Sequence, residues 1–118
     1  MNLPSARLFP LPLLAGCLTC DSIEGGWVGA LSGLDSGTVI ADISPDDTVL
    51  LTISGGALSG QLSTRIDNCD TLRIDTSGEL DGCDASFSGS FGSAQRLDGT
   101  WTADCPEGLL TGQWTLER

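Results

Sequence analysis

Apolar and polar residues alternate along most of this chain with a period of two. Leu97, Gly99, Trp101 and Ala103 interleave with Asp98, Thr100, Thr102 and Asp104; Ala85, Phe87, Gly89 and Phe91 interleave with Ser86, Ser88 and Ser90. Successive side chains of a strand point to opposite faces, so each such run reads as a strand with one buried face. Gly, Asp, Ser and Pro punctuate the runs at the spacing of roughly 8–12 residues expected of all-β sandwiches and barrels. No ten-residue window carries a helical period. The pattern predicts strands near 25–32, 38–44, 48–54, 58–66, 70–75, 80–91, 95–104 and 109–117. Short connections between them make the expected fold all-β: a small antiparallel up-and-down β-barrel, or barrel-like meander, of about eight strands.

A degenerate repeat, apolar-x-Gly-x-apolar, runs through these strands. It occurs as Ile23-x-Gly25-x-Trp27, Leu58-x-Gly60-x-Leu62, Phe87-x-Gly89-x-Phe91, Leu97-x-Gly99-x-Trp101 and Leu110-x-Gly112-x-Trp114. Each copy sets a glycine between two bulky groups on one face. That arrangement suits a tightly curled wall, or a glycine covered by a neighbouring ring. Joining strands six and seven through Ser93-Ala94-Gln95 places Phe91 opposite Leu97, Gly89 opposite Gly99, Phe87 opposite Trp101, Ala85 opposite Ala103, and Cys83 opposite Cys105. A slip of one residue would send the whole set to the wrong face. The register therefore predicts a Cys83–Cys105 disulfide, worth about 3 kcal/mol by chain entropy. Strands seven and eight then set Trp101 against Gly112 and Gly99 against Trp114. Closure of strand eight on strand one is expected to put Trp114 beside Gly25 and Gly112 beside Trp27. The differing parity of Leu80 and Ala85 predicts a bulge near Asp81–Asp84.

The N-terminus follows another pattern. Arg7 precedes a short apolar run from Leu8 to Ala15, interrupted by Pro10 and Pro12 and followed by Leu14-Ala15-Gly16-Cys17. That run is too short to span a bilayer and of the right length for an export signal. Leu14-Ala15-Gly16-Cys17 resembles the lipobox of bacterial lipoproteins. The resemblance implies that residues 1–16 are a removable signal peptide, that Cys17 carries the lipid, and that 17–24 tether a single domain, 25–118, to the membrane. The residues after Cys17 are Leu18 and Thr19 rather than Asp, which implies outer-membrane delivery in a Gram-negative envelope.

Cysteine count fits export. With Cys17 acylated, Cys20, Cys69, Cys83 and Cys105 form an even set, as in exported disulfide-bonded domains; Cys20 pairs with Cys69 by elimination. A zinc site is disfavoured by the lack of His and of any CxxC inside the folded region. Removing the leader takes away Arg7 and leaves 16 acidic residues against Arg65, Arg73, Arg96 and Arg118, with no Lys. Nucleic acid is therefore a poor partner, since phosphate recognition needs clustered basic groups. An anionic membrane surface repels such a chain, leaving attachment to the lipid.

Gly25-Gly26-Trp27 on the first strand, with Gly99-Thr100-Trp101 and Leu110-Thr111-Gly112-Gln113-Trp114 later, resembles the calycin superfamily of lipocalins and avidins. The resemblance implies a barrel that could hold a small ligand. It does not carry over an avidin's biotin set, because the chain has no Tyr and Asn68 is its single Asn beyond the leader.

Candidate chemistry is sparse. Without His or Lys, and with its cysteines expected to be oxidised, the chain lacks an activated nucleophile. Glu79 and Asp81, with Asp75 nearby, could form a carboxylate pair, but acids in turns are first of all solvated turn formers. The stretch Asp75–Gly82 reads as one acidic turn; with Asp35, Asp104 and Glu107 at the same membrane-distal end, it is a plain acidic rim first and a Ca²⁺ site second. Trp27, Trp101 and Trp114 are read as core, with ligand stacking at a barrel mouth as the alternative. These observations lead to a non-enzymatic, cofactor-free, lipid-anchored envelope module, attached to the membrane and presenting its surface to another envelope protein. The alternative is a small-ligand-binding calycin-like barrel.

Overall fold

The computed structural model describes residues 20–66 and 72–118, with the backbone alone at 20 and 21. The expectations for Cys17, for the Cys20–Cys69 bridge and for the leader fall outside the described residues. A 3₁₀ helix, Cys20–Ile23, leads into eight antiparallel strands. They are β1 (Gly25–Gly33), β2 (Gly37–Ile43), β3 (Thr48–Gly55), β4 (Ser59–Arg65), β5 (Arg73–Leu80), β6 (Cys83–Ser93), β7 (Arg96–Cys105) and β8 (Gly108–Glu117). Their order in the sheet is β4-β3-β2-β1-β8-β7-β6-β5. This is an up-and-down meander rolled into a nearly closed barrel, as the alternation predicts.

The register of β6, β7 and β8 is the one the sequence markers dictate. Phe87 pairs with Trp101, Gly89 with Gly99 and Ala85 with Ala103. Cys83 and Cys105 form the expected disulfide. Trp101 faces Gly112 and Trp114 faces Gly99. The glycines admit both a ring and a neighbouring backbone: a Cβ on Gly99 would lie 2.2 Å from the Ser88 carbonyl oxygen and 2.5 Å from Trp114 Nε1, and one on Gly112 would lie 1.9 Å from the Ser32 carbonyl oxygen and 2.6 Å from Trp101 Nε1.

Three expectations are corrected. β8 does close on β1, but Trp114 pairs with Leu31, Leu116 with Gly29 and Gly112 with Gly33. The slide from the expected register is six residues. An even slide keeps every inward residue inward, so alternation alone could not detect it. What selects the observed register is backbone approach: a Cβ on Gly29 would sit 1.6 Å from the Thr115 carbonyl oxygen. The fifth strand is Arg73–Leu80 rather than 70–75. Finally, the irregularity expected at Asp81–Asp84 is a two-residue hairpin turn. Leu80 pairs with Cys83, and both Asp81 (φ 50°) and Gly82 (φ 82°) are left-handed, as a type I′ turn requires. The barrel's bulge falls instead at Gly92, between Phe91 and Ser93.

The interior is filled. Every buried side chain among the described residues is apolar, and Trp27, Trp101, Trp114 and Phe87 are the largest. Phe87 stacks on Trp101 at 6.3 Å and meets Trp114 edge-on at 5.4 Å, while Trp27 meets Phe91 edge-on at 5.1 Å. The edges β4 and β5 are adjacent but share no backbone ladder. Two side chains cross the seam instead: the Thr64 hydroxyl donates to the Asp75 carbonyl (3.2 Å) and the Thr76 hydroxyl to the Ser63 carbonyl (3.3 Å). Leucines interlock beneath them. Leu62 lies where a Cβ on Gly78 would be, and Leu80 lies against Gly60.

Candidate functional site

The two ends of the barrel are built differently. One end collects the start of β1 and the 44–47 and 94–95 turns. There Ile23, from the 3₁₀ helix, is fully buried as a plug, and the Trp27 indole N–H donates to its carbonyl at 2.9 Å. Arg118 clasps this end. Its guanidinium lies 4.5 Å from the Trp27 ring centroid and donates to the carbonyls of Ala94 (3.0 Å), Glu24 and Ser22. In the 44–47 turn the Asp47 N–H donates to the Ser44 carbonyl at 2.9 Å, as the Ser44-Pro45-Asp46-Asp47 pattern predicts. Hydrogen bonds from Thr48 hold the Asp46 carboxyl below its ordinary pKa.

The other end is a mouth, ringed by residues 34–36, 56–58, 81–82 and 106–107. It holds a pocket of about 330 Å³ lined by Ala57, Asp81, the Cys83–Cys105 disulfide, Glu107, Gly108, Leu109 and Leu110. Asp35 braces one of the rim turns. Its carboxylate accepts the backbone N–H groups of Gly56, Ala57 and Leu58 at 3.1–3.2 Å, which fixes the β3–β4 turn. Leu109 is 63% exposed, a large apolar group left facing solvent. Acids occur at both ends of the barrel, but the basic groups among the described residues gather at one. Asp35, Glu79, Asp81, Asp84, Asp104 and Glu107 all fall near the mouth, whereas Arg65, Arg73, Arg96 and Arg118 all fall at the opposite ends of their strands.

The residues singled out from the sequence are distributed as follows. Trp27, Trp101 and Trp114 are buried core, and none of their N–H groups is available to a ligand. Trp101 donates to the Ser32 carbonyl (3.0 Å), and Trp114 donates to those of Ser88 and Thr100 (3.1 Å each). Asp75 and Glu79 lie on the extended strand β5 rather than in a turn; four residues of strand separate their Cα atoms by about 13 Å. Asp75 is bound at the far half of that strand by Ser88 and Arg73. The Ser88 hydrogen bond, followed by the Arg73 guanidinium, holds its carboxyl below the ordinary value. Asp81 alone of the three reaches the pocket. Among the described residues no group of three or more His, Cys, Asp or Glu side chains is placed to hold a metal ion.

The pocket's apolar lining was missed from the sequence. Its one signal is the doublet Leu109-Leu110, which breaks the alternation at the start of β8 and so must turn one leucine outward. Arg118 gave no signal, because its partners are backbone carbonyls.

No protein-family model matches the chain, and the search of curated proteins returned no match. A solved structure, EF1p2_mFAP2b bound to DFHBI, superposes with a TM-score of 0.65 at 10% sequence identity, covering 88% of this chain and 99% of that one. At that identity the likeness is one of fold: an antiparallel eight-stranded barrel.

Proposed function

We propose that this chain is an exported, lipid-anchored envelope module that works by presenting a rigid outer surface, without catalysis. The observation that carries this reading is the filled interior: all buried side chains among the described residues are apolar. The acids that a general acid–base mechanism would need, Glu79 and Asp81 among them, sit on the solvated surface rather than buried in a cleft. The Cys83–Cys105 bridge supports residence in an oxidising compartment. The outer wall offers a place for a partner. Val28 and Ile40 are cross-strand neighbours on β1 and β2, both exposed, with Leu50 diagonal to them on β3. Expressing the full chain with Cys17→Ser tests the reading. The native protein should fractionate with membranes and shift in mass by its lipid, and the variant should lose both properties. A native chain found in the cytosol with free thiols would refute the proposal.

A second reading is favoured by the mouth pocket together with the fold neighbour, whose structure holds the small molecule DFHBI. On this reading the barrel is a small-ligand binder that differs from a lipocalin-like cavity in one respect: its site sits in the rim, above a closed core.

A further inference from the structure

We infer that the mouth pocket takes a small organic cation with an apolar body; the inference rests on the ligand-binding reading of that end. The cavity makes the site, and the surrounding charge sets the ligand's sign. At about 330 Å³ the pocket falls at the small end of the range of roughly 300–1,000 Å³ in which ligand sites occur. Its lining combines apolar groups, Leu109, Leu110, Ala57 and the Cys83–Cys105 bridge, with polar ones, and the apolar groups favour an alkyl or aryl body over a hydrated ion. Leu109, 63% exposed at the pocket edge, is apolar surface that a ligand would cover. Two carboxylates stand on the lip, Asp81 from the β5–β6 turn and Glu107 from the β7–β8 turn. Among the described residues neither has an arginine at its end of the barrel. Arg73 and Arg96 are engaged by Asp75, Asp98 and Glu117 on the far halves of their strands.

An anion would meet uncompensated negative charge here. A neutral apolar molecule would leave the two carboxylates partly desolvated without a partner. A bare divalent cation would find two side-chain carboxylates, Asp81 and Glu107, in the lining, where six to eight oxygen ligands are normally needed for Ca²⁺. A cation whose charge is spread over alkyl groups satisfies the two carboxylates and the apolar lining together. The turn geometry supports the site from below: Asp35 locks Ala57, and the left-handed Asp81 holds its carboxylate on the rim.

The test uses the folded domain with its disulfide intact and ¹⁵N-resolved NMR titration, since no tryptophan reports from the pocket. The probe is benzyltrimethylammonium, compared with benzyl alcohol (apolar, uncharged), tetramethylammonium (charged, no apolar body) and Ca²⁺. Benzyltrimethylammonium is expected to move the amides of Ala57, Asp81, Glu107 and Leu110 saturably. Affinity should fall about tenfold in the double variant Asp81→Asn, Glu107→Gln, and about tenfold again as salt rises from about 0.01 M to 1 M and the Debye length contracts from about 30 Å to about 3 Å. Asn tolerates the left-handed turn position, so the variant keeps the hairpin. Asp42→Asn, which removes one charge at the closed end, should leave binding unchanged. Equal binding of benzyl alcohol, undiminished in the double variant, would overturn the cation inference and leave the ligand-binding reading standing. Equal response to tetramethylammonium and Ca²⁺ would reduce the site to counter-ion condensation and overturn it. No saturable shift from any probe would sink both the inference and the reading it rests on.

Discussion

The closed end and the mouth of this barrel are made from the same strands and held by opposite means. At the closed end a plug, an indole and a guanidinium meet: Ile23 fills the opening, Trp27 donates to it, and Arg118 covers the ring. At the mouth Leu58, from the β3–β4 turn, is itself fully buried, and the rim keeps a pocket. The walls are set by a covalent bridge, by the carboxylate of Asp35 and by a tight Asp81-Gly82 turn. The difference shows how a barrel of about 100 residues can be filled throughout and still keep a pocket in one rim. Packing carries one end, and local cross-links free the other to keep a cavity.

The sharpest test of that contrast is Trp27→Ala. Removing a fully buried indole should destabilise the domain by about 3–5 kcal/mol, a large part of the 5–15 kcal/mol typical of a domain. Urea denaturation should show the loss as a lowered midpoint. The double variant Cys83→Ala, Cys105→Ala comes next, at about 3 kcal/mol. Its hydrogen exchange should rise first in β6 and β7 near the mouth, while the Trp27 region stays protected. Arg118→Ala should reduce stability by about 1–2 kcal/mol through the lost ring and carbonyl interactions; equal protection of the 20–25 amides in wild type and variant would argue against the clasp.

Acid titration gives a smaller effect with a defined sign. Asp75 and Asp46 have folded pKa values below the ordinary aspartate value near 3.8, so the unfolded chain takes up their protons first. Their contribution is complete above that value and is lost as pH falls through the depressed ones. Asp75→Asn should therefore flatten the acid limb of the stability curve by lowering its neutral plateau slightly, with stability at low pH almost unchanged. Last, Leu109→Ser should change stability by less than about 0.5 kcal/mol while weakening capture of the aromatic cation at the mouth.

How much of this was legible depended on markers. In β6, β7 and β8 the cysteines, glycines and rings are few and large, so one alignment satisfied them all and the register could be derived. At the β8–β1 closure the markers are Gly29 and Gly33, which act through backbone approach, and a six-residue slide leaves the facing pattern intact. β5 was misplaced because two of its inward positions are Thr76 and Gly78 rather than apolar residues. Leu62, from across the seam, supplies the volume there, and a single strand's pattern does not contain its neighbour's side chain. The Asp81-Gly82 dipeptide is a strong hairpin signal; a parity argument between Leu80 and Ala85 displaced it. The pocket is least legible of all, since it is defined by the space three turns leave between them.

The seam between β4 and β5 gives the wall an expansion joint. Seven interfaces around the ring are sewn by amide ladders and fix their spacing, but this one is fastened by two hydroxyls and a pair of interlocked leucines. The girth of the barrel is therefore set there, by side-chain fit. An added carbon on Gly78 would lie 2.7 Å from Leu62 Cδ2, so either the leucine turns aside or the seam opens, and every ladder stays whole.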